Sequence, residues 1–233
     1  VRISGCSGFD LSVELNGMTP DLFEADDGPG ALVPLAPGAA VLRGLARRHA
    51  QVLVAGVEAV SQVAPFRHLV TPGGFTMSVA MTNCGALGWV SDITGYRYTA
   101  NDPLTDQPWP AMPVEFLALA RDAAMQVGFP GFVPDACLVN RYVPGARLTL
   151  HQDMNERGLV APIVSVSLGI PAVFQFGGLK RSDKAQRIAL EHGDVVVWGG
   201  PSRMRYHGVL PLKPASHPLT GELRINLTFR QAG

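Results

Sequence analysis

Glycine and proline interrupt this chain so often that few segments can run far in one conformation. Among 233 residues, 26 are Gly and 19 are Pro, well above ordinary usage. That density of breakers disfavours a helical bundle or coiled coil and favours short elements joined by tight turns. With 47% apolar and only 16% charged residues, the chain has a core to bury and is not a disordered polymer. Its length suits one domain.

Short β-branched runs bounded by turn residues predict strands at 76–82, 136–142, 163–168, 173–176, 187–190, 194–198 and 223–229. A further short strand is expected from Ala40. Residues 49–63 place Val52, Val54, Val57 and Val60 at helix-like steps, and Pro65 ends that helix. A second helix is expected from Pro113, a favoured first position, to near Gly128. Closely spaced strands late in the chain with two helices outside them predict a sandwich or barrel, mainly β with flanking helices. Residues 1–38 are expected to be weakly structured, being acidic and rich in Gly and Pro from Asp21 to Gly38. Met18 sits where a natural start would lie, which would make residues 1–17 dispensable.

Several classes are excluded. No stretch approaches the roughly 18 apolar residues of a transmembrane helix, and the first 17 residues do not read as a secretory signal. Cys6, Cys84 and Cys137 are too few for a disulfide framework or a closed zinc site, so a cytoplasmic location is expected. A net charge of +0 rules out a protein that grips nucleic acid by overall charge. Local basic faces remain: Lys180, Arg181, Lys184 and Arg187, and the smaller pair Arg203 and Arg205. The default reading of such a run is a solvated loop.

Chemistry concentrates at His151, with Asp153 at the next same-face position of an extended segment, so both side chains can reach one ion. The third ligand is assigned to His207, after several intervening strands. Two imidazoles and one carboxylate leave open positions on an octahedral ion, which suits non-haem Fe(II). The bland reading is a surface His–Asp pair and a core histidine, and the six histidines offer many such coincidences. In the C-terminal segment, Arg224, Asn226, Thr228 and Arg230 alternate with Ile225, Leu227 and Phe229. Two guanidiniums on one inward strand face need anions. A dicarboxylate satisfies both; so would protein carboxylates or an exposed edge.

Taken together, Asn140-Arg-Tyr142, Leu148-Thr-Leu-His151-Gln-Asp153, His207 and the Arg224–Arg230 segment resemble the AlkB-type Fe(II)/2-oxoglutarate nucleic-acid dealkylases, bacterial branch. The likeness runs from about Val41 to Gly233 and is especially close at 70–85 and 191–200. It implies a double-stranded β-helix, or jelly roll, with an N-terminal nucleotide-recognition lid. The domain would span 39–233, with the lid at about 66–110 and the core at about 135–233. The resemblance assigns His151, Asp153 and His207 to Fe(II), and Asn140, Tyr142, Ser165, Trp198, Arg224, Asn226 and Arg230 to 2-oxoglutarate. Met81, Trp89 and Tyr96 match lid residues that contact the extruded base or its backbone, with Trp89 stacking opposite an iron-ligand imidazole. Arg181 belongs to a basic loop suited to phosphates.

The implied reaction is oxidative dealkylation of N-methylated bases in single- or double-stranded DNA, or in RNA, by a monomeric enzyme that touches no membrane. Fe(II), 2-oxoglutarate and O2 are consumed, and succinate, CO2 and formaldehyde are released. A methylated base pairs poorly, so extruding it costs less. One departure stands out: Asn155 occupies a position that is acidic in close relatives, followed by Glu156, which could swing in to replace it. Two other functions share the triad: a hydroxylase of a small molecule or protein side chain, which has no use for Trp89 and Tyr96, and a jelly-roll binding module without turnover.

Overall fold

The computed structural model describes Val1 and residues 30–233. The reading of residues 1–17, Cys6 and the start of the acidic stretch therefore falls, beyond Val1, outside the described residues. The elements begin with β1 (Leu32–Ala36), β2 (Ala39–Leu42), α1 (Ala50–Val63), β3 (Arg67–Val70), β4 (Thr76–Gly85), β5 (Gly88–Asp92), β6 (Gly95–Thr99) and α2 (Val114–Gln126). They continue with β7 (Ala136–Tyr142), β8 (Leu148–His151), β9 (Ile163–Gly169), β10 (Ala172–Phe176), β11 (Gln186–Leu190), β12 (Val195–Trp198), β13 (His207–Val209) and β14 (Arg224–Arg230).

Eight strands form one sheet in the order β1-β2-β12-β9-β14-β7-β4-β3, and four form a second in the order β11-β10-β13-β8. Strands β5 and β6 pair only with each other. One face of the large sheet carries the helices. Leu53, Val57 and Val60 of α1 and Phe116, Leu119 and Ala123 of α2 pack on Val139, Val164, Val166, Leu227 and Phe229. The other face meets the small sheet, with Leu138, Ile163, Val196 and Trp198 packing against Phe174, Phe176, Ile188 and Val209. The result is a mainly β sandwich of two sheets with flanking helices. No helix of the described residues is long and apolar enough to cross a membrane.

The expected strands form within a residue or two at most ends, although β4 continues to Gly85. Two expectations need correction. Residues 32–36 are not weakly structured: β1 pairs with β2, and Val33 and Leu35 pack on the core between the sheets. Pro34 hides this strand in the sequence, yet an edge strand tolerates a missing N–H. Val52 is exposed, and the buried face of α1 is Ala50, Leu53, Val54, Val57 and Val60. Within residues 66–110, β3 and β4 extend the large sheet, and β5 and β6 pair with each other as a two-stranded ribbon. That ribbon turns at Asp92, whose Oδ1 accepts the Thr94 N–H at 2.8 Å. It is anchored through Val90, Ala64 and Trp109.

Candidate active site

Register brings the two histidines together. In the small sheet β13 pairs with β8 so that His207 stands opposite His151, and the ring centroids lie 4.5 Å apart. Gly208 permits this approach, since a Cβ there would sit 2.7 Å from the Leu148 carbonyl oxygen. The His151 Nδ1 lies 2.8 Å from the Thr149 carbonyl oxygen, and the His207 Nδ1 lies 3.0 Å from that of Arg205. A carbonyl can only accept, so each Nδ1 carries a hydrogen, and in the neutral ring it is Nε2 that offers the lone pair. Those Nε2 atoms lie 3.7 and 3.6 Å from the Asp153 carboxylate. All three candidate ligand atoms fall within 4.8 Å of one another. Burial, with His151 close by, lowers the His207 pKa to about 4, so this imidazole is neutral at pH 7 and able to ligate.

Behind the triad is the polar face of β14, which runs between β7 and β9 at the centre of the large sheet. Ile225, Leu227 and Phe229 face the helices, which leaves Arg224, Asn226, Thr228 and Arg230 to line the cavity, as the alternation requires. Asn226 is locked: its amide donates to the Ser165 hydroxyl at 2.8 Å and the Val166 carbonyl at 2.9 Å. Its Oδ1 accepts from Thr228 and Asn140. The two arginines differ sharply. Arg230 donates to Asp153 Oδ2 through Nε at 2.9 Å and Nη2 at 2.6 Å. Burial alone would raise the Asp153 pKa, but the adjacent Arg230 guanidinium outweighs it and holds the carboxylate ionised. Arg224 is 1% exposed and meets no carboxylate among the described residues; it donates to the Ser167 hydroxyl and lies over the Tyr142 ring at 4.9 Å. Its Nε and Nη1 have no partner among the described residues, and neither does the Trp198 Nε1.

These groups line one cavity of about 660 Å³, together with Asn140, Tyr142, Ser165, Trp198, Met81, Trp89, Tyr96 and Asn155. Arg181 lies outside it, exposed and 5.9 Å over the Tyr206 ring. Trp89 and Tyr96 stack on each other with centroids 5.6 Å apart. The Trp89 indole N–H donates to Asn155 Oδ1 at 3.2 Å. Glu156 does not swing in beside Asn155. It is buried, accepting the Tyr98 hydroxyl at 2.8 Å and lying 3.0 Å from Arg203 and 3.3 Å from Arg230. Arg203 is thereby consumed inside the protein, and Arg205 donates to Ser202 and the Gly177 carbonyl. That pair is no basic face. Sequence reasoning misses Tyr98, Ser167 and Phe174. The first two are findable by two-residue alternation from Tyr96 and Ser165.

The sequence model of the 2OG-Fe(II) oxygenase superfamily matches residues 38–230. The alpha-ketoglutarate-dependent dioxygenase AlkB of Salmonella typhimurium is 64% identical over 212 residues, which cover 91% of this chain and 97% of that protein. AlkB of Escherichia coli strain K12 is 61% identical over 200 residues, covering 86% and 93% respectively. The solved structure of OsALKBH1 superposes with a TM-score of 0.75 at 31% identity, over 86% of this chain and 100% of that one. The chain belongs to the 2OG-Fe(II) oxygenase superfamily and, within it, to the AlkB family of alpha-ketoglutarate-dependent dioxygenases.

The residues present fit the cofactors of that family. The His-Asp-His donor set suits Fe(II), and a buried guanidinium without a protein carboxylate partner suits an anionic co-substrate. The protein is an Fe(II)/2-oxoglutarate-dependent dioxygenase.

Proposed function

We propose that this dioxygenase repairs nucleic acid by oxidative dealkylation, removing N-methyl groups from damaged DNA bases as formaldehyde. The observation that carries this reading is a single cavity that joins the His151–Asp153–His207 cluster to the Trp89–Tyr96 stack. A small-molecule or side-chain hydroxylase has no use for an aromatic pair on a separate ribbon at the cavity wall. Aromatic platforms grip the face of an unstacked base.

In this reading the two Nε2 lone pairs and the Asp153 carboxylate hold the metal, while Arg230 keeps that carboxylate ionised and aimed. Arg224, with Tyr142 beneath it, receives a carboxylate of 2-oxoglutarate, and the Asn226 network fixes the wall beside it. The bound Fe(II) and 2-oxoglutarate supply the oxidation of a methyl C–H bond by O2. The chain's own part is to exclude water, to hold the methylated base by its face, and to keep the ligands neutral or anionic as required. In the same reading Arg181, exposed beyond the cavity, meets a phosphate of the strand. The thiols of Cys84 and Cys137, buried opposite one another on β4 and β7, suit a reducing cytoplasm.

A panel of methylated oligonucleotides tests the reading. Incubated with Fe(II), 2-oxoglutarate and air, single strands carrying 1-methyladenine or 3-methylcytosine lose the mass of one methylene group. A panel left unchanged while 2-oxoglutarate is consumed contradicts it.

A further inference from the structure

The loop that follows β8 carries metal-site residue Asp153 and, just beyond it, two residues gripped by the β5–β6 ribbon. Asn155 accepts the Trp89 indole N–H at 3.2 Å, and Glu156 accepts the Tyr98 hydroxyl at 2.8 Å. Trp89 and Tyr98 are cross-strand partners on the ribbon, so both project from one face. From Tyr98 a continuous chain runs inward. Glu156 Oε1 lies 3.3 Å from the Arg230 Nε, and Arg230 donates to Asp153 Oδ2 at 2.6 Å. Arg203 closes the cluster, 3.0 Å from Glu156 and donating to the Asp153 backbone carbonyl at 2.8 Å. The side chains of Glu156, Arg203, Arg230 and Asp153 are 2%, 3%, 8% and 10% exposed. Two carboxylates and two guanidiniums therefore balance in a dry site, where no member can move without unpairing another.

We infer that Tyr98 and Glu156 latch the ribbon to the metal-ligand loop, so that the Trp89–Tyr96 platform and the metal site report on each other. Tyr98 belongs neither to the metal-site cluster nor to the residues that line the cavity; it is a positioning residue acting through Glu156 and Arg230. Coupling of this kind is reciprocal. A metal that fixes Asp153 holds Arg230 and Glu156 in place, and with them the ribbon. A base that fixes the ribbon steadies Asp153 in turn. A two-stranded ribbon is marginal by itself, so a part-buried hydroxyl at its inner end bears on its order.

The test uses amide hydrogen exchange of the whole protein with and without manganese(II), a metal suited to such donors. In the wild type, manganese slows exchange in residues 148–153 and 207–209 and also in the ribbon, residues 88–99. In Tyr98→Phe, which removes one oxygen and keeps the ring, manganese still protects the ligand strands, but the added protection of the ribbon falls by about fivefold or more. Glu156→Gln, which keeps the shape and weakens the link to Arg230, gives the same pattern. A ribbon that does not respond to metal in the wild type overturns the latch. So does a Tyr98→Phe ribbon that exchanges faster throughout yet keeps its full response to metal, because that is a merely structural loss. No response in either segment overturns the metal site as well, which separates failure of the site from failure of the latch.

Discussion

Arg224 and Arg230 stand at the two ends of one strand face, but only Arg230 meets a protein carboxylate. It donates twice to Asp153, whereas Arg224 keeps Nε and Nη1 without partners among the described residues. The sequence pattern presents the two as an equivalent pair awaiting one dicarboxylate. Their surroundings differ: one guanidinium is paired with the Asp153 carboxylate, and the other meets no carboxylate among the described residues.

Replacing Arg224 separates ligand binding from stability. Arg224→Met weakens 2-oxoglutarate binding by about 2–5 kcal/mol, the cost of losing one partner of a desolvated charge pair. The ligand-free protein does not lose stability, because the change deletes an uncompensated buried charge. Calorimetric titration on the manganese-loaded protein checks the first part and thermal unfolding the second. An unchanged dissociation constant would remove Arg224 from the co-substrate site.

Arg230→Ala has the opposite signature. It strands the Asp153 carboxylate in a dry site, while Glu156 keeps Arg203. The stranded charge destabilises the metal-free protein by about 3–5 kcal/mol. A divalent ion bound at Asp153 offsets part of that loss. Thermal unfolding with and without manganese measures both effects, and a variant as stable as the wild type contradicts the pairing.

Much of this site is legible in the order of residues alone. The alternation of β14 follows from chain geometry, and the His151-x-Asp153 spacing is set by a strand's two-residue period. The opposition of His207 to His151 is not legible there, because a register across β8 and β13 depends on which strands pair. Arg203 shows the other limit: a charge beside a second charge reads as surface, and only burial against Glu156 reveals otherwise. Strand β1 is hidden by Pro34, whose cost disappears at a sheet edge.

The lid aromatics should act on the nucleic acid alone. Trp89→Ala weakens binding of a methylated single strand by about 1–3 kcal/mol, the usual worth of a base–aromatic stack. Slow 2-oxoglutarate turnover without nucleic acid survives. Equal loss of both activities would make Trp89 a core residue. Asn155→Asp adds a full charge beside the platform, and it raises kcat/KM for cationic 3-methylcytosine relative to neutral 3-methylthymine. A ratio that stays fixed shows that this position does not read charge.

A pH effect is expected away from the active site. His192 stacks on His217 with centroids 4.0 Å apart, and its Nδ1 accepts the Gly169 N–H at 3.0 Å. Burial, then His217 and Arg47, lowers its pKa below the ordinary 6.5. The unfolded chain therefore binds the extra proton first. Stability is complete above about pH 6.5 and declines as pH falls from there through the lowered pKa. His192→Asn, which keeps an acceptor and cannot charge, flattens that slope in denaturant unfolding. An identical slope in the variant contradicts the assignment.

One cavity is held to couple the His151–Asp153–His207 metal site to a methylated base. The most direct measurement follows formaldehyde and succinate together on a 3-methylcytosine single strand, in the wild type and in Asp153→Ala. Equal amounts of the two products are expected in the wild type, with cytosine restored to match, and neither product in a folded Asp153→Ala. Undiminished formaldehyde release from Asp153→Ala, or wild-type succinate without restored cytosine, would contradict that coupling.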